Sequence, residues 1–248
     1  MRRHGARRDR YTGVEPIDPE MFRIAFPDAK GGDRGLPQRR TKMQTVRLAQ
    51  QDRSEQTRAA ILGIALEQFS TRGFDAVSLR EIADTAGVNH AMIRYYFGSK
   101  ENLWRESVAH LFDRFVEETL PPGPDTEGFS LDGAKEYVRS YVRYCARHPE
   151  HARLMMQEAN RDSERLKWMA EKFIRPRHDR TIPLVKQLGA LTPGLERIDA
   201  VMLLYMITAI AQVPYLLTSE IKYAHGIQVM HEKTVEAHCD AVLAFIFR

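Results

Sequence analysis

The chain has 248 residues, 37 Lys and Arg against 33 Asp and Glu, a formal charge of +4, and 43% hydrophobic with 9% aromatic residues. That length and composition suit a folded globular protein of one large or two small domains and exclude a fibrous or wholly disordered chain. Two cysteines, Cys145 and Cys239, are too few for a disulfide framework, and no apolar core follows the N-terminal arginines as a secretory leader would require.

The expectation is a cytoplasmic protein with both cysteines as packed thiols and no membrane span. The longest uncharged run, residues 201–219, contains Thr208, Gln212 and Pro214 and reads as a helix buried on several sides.

Residues 1–50 carry 12 Lys and Arg against 6 Asp and Glu, are rich in Arg, Gly and Pro, and are read as a disordered basic extension. The readings that stay open are a solvated tail, a stretch upstream of a true start at Met43, or a basic arm laid on a DNA backbone or minor groove, for which Arg39, Arg40 and Lys42 are best placed. Asp52 or Ser54 then caps a first helix running to about Arg72, with Ile61, Leu62, Ala65, Leu66 and Phe69 inward and Gly73 as its stop.

Residues 78–97 read as helix, glycine turn, helix. Ser78 with Glu81 three residues on forms a capping box, Ala83, Ala86 and Val88 let two helices cross closely, and Gly87 supplies the positive φ of a tight turn. If Ile93 and Phe97 are the buried ridge of the second helix, then Ala91, Arg94 and Tyr95 face outward with His90 on the flank. Such a face lies in a major groove, where an arginine fork can bond a guanine edge and a small side chain can meet a thymine methyl. Tyr95, Tyr96 and Lys100 suit phosphates, and Ser99 is the N-cap of a helix from 99 to about 120 whose amides can also hold a phosphate.

Residues 54–114 resemble the N-terminal domain of TetR-type transcriptional regulators. The likeness is carried by Arg58-Ala-Ala-Ile-Leu62, Ala65-Leu-Glu-Gln-Phe69, Gly73-Phe74, Ser78-Leu-Arg-Glu-Ile-Ala83, Ala86-Gly-Val88 and Tyr95-Tyr-Phe97-Gly-Ser-Lys100-Glu101. Arg94 stands where that family usually has an aromatic residue, so the operator sequence does not carry over. The resemblance implies an all-α fold: a three-helix helix-turn-helix DNA-binding domain at 54–114 and a helical ligand-binding and dimerisation domain at 125–248. It also implies a ligand-responsive homodimeric repressor on a palindromic operator, with DNA-binding residues Ser78, His90, Ala91, Arg94, Tyr95, Tyr96, Ser99 and Lys100. In that picture the helix from 99 to 120 bridges the domains and sets the spacing of the two DNA-reading helices.

Leu103, Val108, Leu111, Phe112 and Phe115 form the apolar side of that bridging helix, and a loop of turn formers at 121–130 follows. Beyond it the periodicity predicts helices over 131–147, 150–160, 163–190, 195–217 and 227–247, with no strand. The last two present long apolar faces and are expected to pair with a second copy. Those faces comprise Val201, Leu204, Tyr205, Thr208, Ala209, Gln212 and Val213, with Met230, Thr234, Ala237, His238, Ala241, Val242 and Phe245. Tyr141, Met155, Trp168, Phe173 and Arg175 are the expected ligand contacts, for an apolar or aromatic effector with an anionic end meeting Arg175 or Arg177.

Two alternatives to regulation are a helical protein-interaction module and a metal-dependent enzyme built on His148 and His151 or His231 and His238. Neither histidine pair has the spacing of a zinc protease, Pro149 breaks the first pair's helix, and no clustered acids or glycine-rich phosphate loop accompany them, so no catalytic residue, metal ligand or cofactor is assigned.

Overall fold

Side-chain caps, glycines and prolines divide this chain into helices. In the computed structural model the described residues are 38–119 and 130–247, with side chains described from 53 onward save that of Leu191. The helices are α1 (Gln38–Arg72), α2 (Leu79–Ala86), α3 (His90–Phe97), α4 (Lys100–Thr119), α5 (Leu131–Arg147), α6 (Pro149–Ala159) and α7 (Glu164–Met169). A π-helical segment, Ala170–Ile174, leads into α8 (Arg175–Leu191), followed by α9 (Ala200–Leu216), α10 (Thr218–His225) and α11 (Glu232–Ile246). Among the described residues there is no strand, so the all-α expectation holds.

The chain divides into two units, Met1–Leu48 and Ala49–Arg248. The segments 54–114 and 125–248 therefore share one unit. Residues 1–37 of the expected extension, residue 120 at the end of the expected bridging helix and residues 121–129 of the expected loop lie outside the described residues.

Three boundaries correct the sequence reading. First, α1 begins at Gln38 and not at a cap near 52, so residues 38–50, Arg39, Arg40 and Lys42 included, are helical in backbone. The stretch from Gln38 to Gln51 has no Gly or Pro and is rich in Arg, Lys, Gln, Leu and Ala, which favour helix even without an apolar stripe. Second, the predicted helix 163–190 contains the π turn. Pro176 has no N–H to return to the preceding turn, and its ring crowds the carbonyl four residues back, so the repeat widens just before it. Third, α10 was not expected, and α9 and α11 start later than predicted. The Asp199 carboxylate accepts from the N–H groups of Val201 (2.9 Å) and Met202 (3.2 Å) and fixes the start of α9, while Gly226 at φ 70° ends α10.

At the N-terminal end of the second unit the core is built by Ile61, Leu62, Ala65, Leu66 and Phe69 of α1, Ile82 and Ala83 of α2, Ile93 and Phe97 of α3, and Leu103 and Trp104 of α4. Each large member removed from water contributes about 1.5–3 kcal/mol. Trp104, which the apolar pattern had not singled out, is fully buried with its ring set edge-on to Phe74. Farther along, α5 packs against α4, α9 and α11, and α8 packs against α9. Both cysteines are buried and free, and burial pushes the Cys145 thiol up to about 12. No single described helix is long and apolar enough to cross a membrane.

Candidate nucleic-acid interface and internal cavity

Local bonds shape the stretch from Ser78 to Ser99. The Ser78 hydroxyl accepts from the Glu81 N–H at 3.2 Å, and the Ser78 N–H donates to the Glu81 carboxylate at 2.8 Å, completing the capping box. Bonding of the Glu81 carboxyl to the Ser78 hydroxyl and to the Ser78 N–H, with a third bond from Arg72, holds it down at about 2. Gly87 takes φ 65° and ends α2, its N–H donating to Asp84, while the Val88 N–H donates to Ala83 at 3.0 Å. Asn89 caps α3 by accepting from the Ala91 N–H at 2.9 Å, a role the sequence reading missed although Asn is a preferred N-cap. Ile93 and Phe97 are buried and seat α3 on the core.

With that ridge down, His90, Ala91, Arg94 and Tyr95 are exposed, and Tyr95 at 84% is among the most exposed large apolar side chains described. Arg94 has no ion pair or side-chain hydrogen bond among the described residues, so its five N–H donors are available. The other expected contacts are more engaged. Tyr96 is half-buried with its hydroxyl 2.9 Å from the Ser54 hydroxyl. Lys100 donates to the Asp75 carbonyl at 3.3 Å and lies over the Phe74 ring, keeping further N–H donors beyond that bond. Ser99 is the N-cap of α4, its hydroxyl accepting from the Asn102 N–H at 3.1 Å.

The second feature is a cavity of about 710 Å³ enclosed by α4 to α9. Phe112 and Phe115 of α4, Val138 and Tyr141 of α5, Met155 and Met156 of α6, and Leu184, Val185 and Leu204 of α8 and α9 give it mainly apolar walls. Of the five expected ligand contacts, Tyr141 and Met155 line it. Trp168 and Phe173 do not: Trp168 packs on Trp104 at 5.8 Å between ring centroids, and Phe173 stacks on Phe112 at 4.7 Å, one layer behind the lining. Arg175 is exposed and also stands outside it, because the π turn adds a residue to the repeat and rotates Arg177 inward in its place.

The polar groups that do reach the cavity come from scattered positions. Arg177 lies 3.6 Å from the Phe115 ring centroid and donates to the Thr119 hydroxyl (3.1 Å) and the Tyr137 hydroxyl (3.3 Å). The Gln212 amide donates to the Tyr141 hydroxyl at 2.9 Å, so Gln212 faces inward and not to a partner as its helical phase had suggested. Burial first, and the Arg177 charge second, push His151 down to about 3, so it is neutral; its Nδ1 lies 2.9 Å from the Tyr144 hydroxyl. His178 is also lowered, chiefly by burial.

His148 and His151 do not converge. His148 reaches Glu118 at 2.8 Å and Glu150 at 3.4 Å, whereas His151 meets Tyr144. His238 is tied to the Tyr215 hydroxyl and the Ile210 carbonyl, and His231 is exposed. Among the described residues no group of three or more His, Cys, Asp or Glu could hold a metal ion.

On α9 and α11, Val201, Met202, Tyr205, Met206, Val213 and Phe245 are each 39–55% exposed. Ala209, Ala237 and Ala241 are exposed beside them. Leu204, Thr208 and Gln212, expected on this face, line the cavity, as do the exposed Tyr205, Ala209 and Val213, and Val242 is buried. A further set of contacts joins α6 and the turn after it to the helix-turn-helix region: Arg153 to Glu67 at 3.0 Å, Gln157 to the Ser70 carbonyl, and Arg161 to Asp75 at 2.8 Å.

Comparison with known proteins bears on these two features. Residues 61–106 match the family model for bacterial regulatory proteins of the tetR family. RutR of Escherichia coli (strain K12), an HTH-type transcriptional regulator, is 35% identical over 100 residues, which are 40% of this chain and 46% of RutR. NicS of Pseudomonas putida, an HTH-type transcriptional repressor, is 33% identical over 118 residues, 48% of this chain and 54% of NicS. The chain thus spans about half the length of the curated relatives it matches. Among solved structures, the ketosteroid transcriptional regulator KstR2 of Mycobacterium tuberculosis superposes with a TM-score of 0.58 at 17% identity, covering 77% of this chain and 95% of that one. AibR, solved with isovaleryl coenzyme A and operator DNA, gives 0.59 at 16% identity, covering 77% and 98%. At these identities the structural likeness is one of fold.

Proposed function

We propose that this chain, whose residues 61–106 match the family model for bacterial regulatory proteins of the tetR family, is a DNA-binding transcriptional regulator of that family, a homodimeric repressor that releases a palindromic operator when a small apolar molecule fills its cavity. The observation that carries the DNA half is the face of α3. Ala91, Arg94 and Tyr95 stand clear of the protein on a helix clamped by Ile93 and Phe97. Arg94 reads a guanine edge, Ala91 approaches a thymine methyl, and Tyr95 meets the backbone.

Residues 51–100 hold 6 Lys and Arg against 6 Asp and Glu. Non-specific attraction from this region is therefore weak, and specificity rests on few contacts. Tyr96, Ser99 and Lys100 position the helix on phosphates through the donors their internal bonds leave free. Ser78 and His90 flank the same face.

Dimerisation supports the same reading. Exposed apolar side chains gather along α9 and α11, and the alanines beside them admit a partner helix closely. A two-fold pairing there presents two α3 helices to one duplex, which makes the operator a palindrome.

Release follows from the position of the cavity. Its walls include α4 and α6, and α6 with the turn after it grips the helix-turn-helix region through Arg153, Gln157 and Arg161. A ligand that favours one arrangement of these helices shifts the spacing of the two α3 helices, and a coupling of about 1–3 kcal/mol suffices to change occupancy by one to two orders of magnitude.

The test is retardation of duplexes from upstream of the protein's own gene by the full chain, with random duplex as competitor. Sequence-specific retention with a palindromic footprint is the expected result. Equal affinity for every duplex across a salt series sinks the operator reading.

A further inference from the structure

Resting on the reading of the cavity as the effector site, we infer that the effector is an apolar carboxylate, an aliphatic or aromatic acid whose carboxyl group docks on Arg177. Among the described residues lining the cavity, Arg177 is the one formally charged side chain; no Asp, Glu or Lys faces the space. The two histidines in the lining are held neutral by burial and so add no second cation. Arg177 also makes no ion pair among the described residues. Its protein partners are two neutral hydroxyls, of Thr119 and Tyr137, and the face of Phe115.

An arginine placed in apolar surroundings without a carboxylate loses hydration that two hydroxyls and one ring only partly replace. Both recorded bonds leave from Nη2, so Nε and Nη1 have donors to spare, and neither is among the buried polar atoms left without a partner. Arg177 lines the cavity, and these donors have no hydrogen-bond partner among the described residues. A planar carboxylate matches that fork with two parallel bonds, whereas an alcohol or ketone offers one neutral acceptor and leaves the charge uncompensated.

The remaining walls define the rest of the molecule. Phe112, Met155, Val185 and Leu204 offer it apolar surface, and methionine adapts to aliphatic or aromatic outlines. A polyanion such as a nucleotide does not fit this chemistry, because one cation faces several charges and the apolar walls strip the others of water.

The experiment is calorimetric titration of the full chain with decanoate and naphthoate, each beside its neutral counterpart, decanol and naphthalenemethanol, in wild type, Arg177→Gln and Arg177→Lys. We expect at least one carboxylate to bind wild type about tenfold or more tightly than its alcohol. Arg177→Gln removes that gap, and Arg177→Lys keeps the charge but loses the fork and retains part of it. The wild-type comparison needs no variant to fold, and cooperative melting checks each variant.

Alcohols binding as tightly as acids, a gap that survives Arg177→Gln, or no binding by either acid overturns the inference. DNA retention without ligand is scored separately. Its loss with acid selectivity intact would remove the regulator reading alone, and neutral apolar ligands that release DNA would remove the carboxylate alone.

Discussion

The helix-turn-helix and the cavity are built in contrasting ways. In the first, each decisive bond closes within a few residues: Ser78 to Glu81, Gly87 to Asp84, Asn89 to Ala91, Ser99 to Asn102. In the second, Arg177 of α8 meets Phe115 and Thr119 of α4 and Tyr137 of α5, and Gln212 of α9 meets Tyr141 of α5. A locally bonded face survives large changes elsewhere in the chain. A face assembled from six helices depends on the packing of all of them.

The largest expected effect separates the two. Ile93→Ala empties a fully buried position under α3 and should destabilise by about 2–5 kcal/mol, seen as a lower midpoint in chemical denaturation and a matching loss of DNA binding. A Leu204→Ala change in the partly buried cavity wall should cost less and leave DNA binding without ligand intact. If both changes abolished DNA binding equally, the two regions would not be separable.

Acid attacks the cavity side first. The folded protein holds His151 down at about 3, and His110, His178 and His238 are lowered as well, each chiefly by burial. The unfolded chain, at about 6.5, binds protons that the folded chain refuses. Stability is therefore complete above about pH 6.5 and falls as the pH drops from there toward 3, with His151 alone contributing a loss of about 2 kcal/mol by about pH 5. The denaturation midpoint of wild type should fall over that window, and His151→Gln should flatten the fall. An unchanged slope in the variant would show that His151 is not the proton-refusing group.

These differences also explain what the sequence revealed. Caps, the glycine turn and the Ile93 and Phe97 ridge are local signals, so α2, α3 and the outward placement of Arg94 and Tyr95 were readable from residue types at fixed spacing. The start of α1 was missed because a polar helix has propensity but no apolar stripe. Arg175 was expected in the cavity and Trp168 and Phe173 with it because of their residue types, which do not say which side of a helix faces the space. One π turn at Ala170–Ile174 changes the phase, and periodicity carries no warning of it beyond Pro176. Gln212 and Thr208 looked like interface residues because a helix with apolar residues on all sides does not say which side meets its own chain.

A smaller effect tests the α3 face itself. Arg94→Ala should cost about 1–3 kcal/mol of affinity for the preferred duplex and relax the choice at one base pair, with little loss on random sequence. Anisotropy titrations on both duplexes check it. Equal losses on both would mean that Arg94 touches phosphate and that base choice lies elsewhere on the helix.

The smallest expected change in stability falls on the seam between the two regions. Arg153 of α6 bonds both oxygens of Glu67 on α1, at 3.0 and 3.2 Å, and both side chains are substantially exposed. Water screens such a pair, so Arg153→Ala should lower stability by at most about 1 kcal/mol. Its effect on regulation should be larger than its effect on folding, because this contact and those of Gln157 and Arg161 are where a cavity wall grips the DNA-reading region. The comparison to make is the ratio of DNA affinities with and without a cavity ligand. In Arg153→Ala that ratio should shrink toward one while each binding event taken alone persists. A ratio equal to wild type would mean that α6 does not carry the coupling and that α4, which lines the cavity and continues directly from the Ser99 cap, carries it instead.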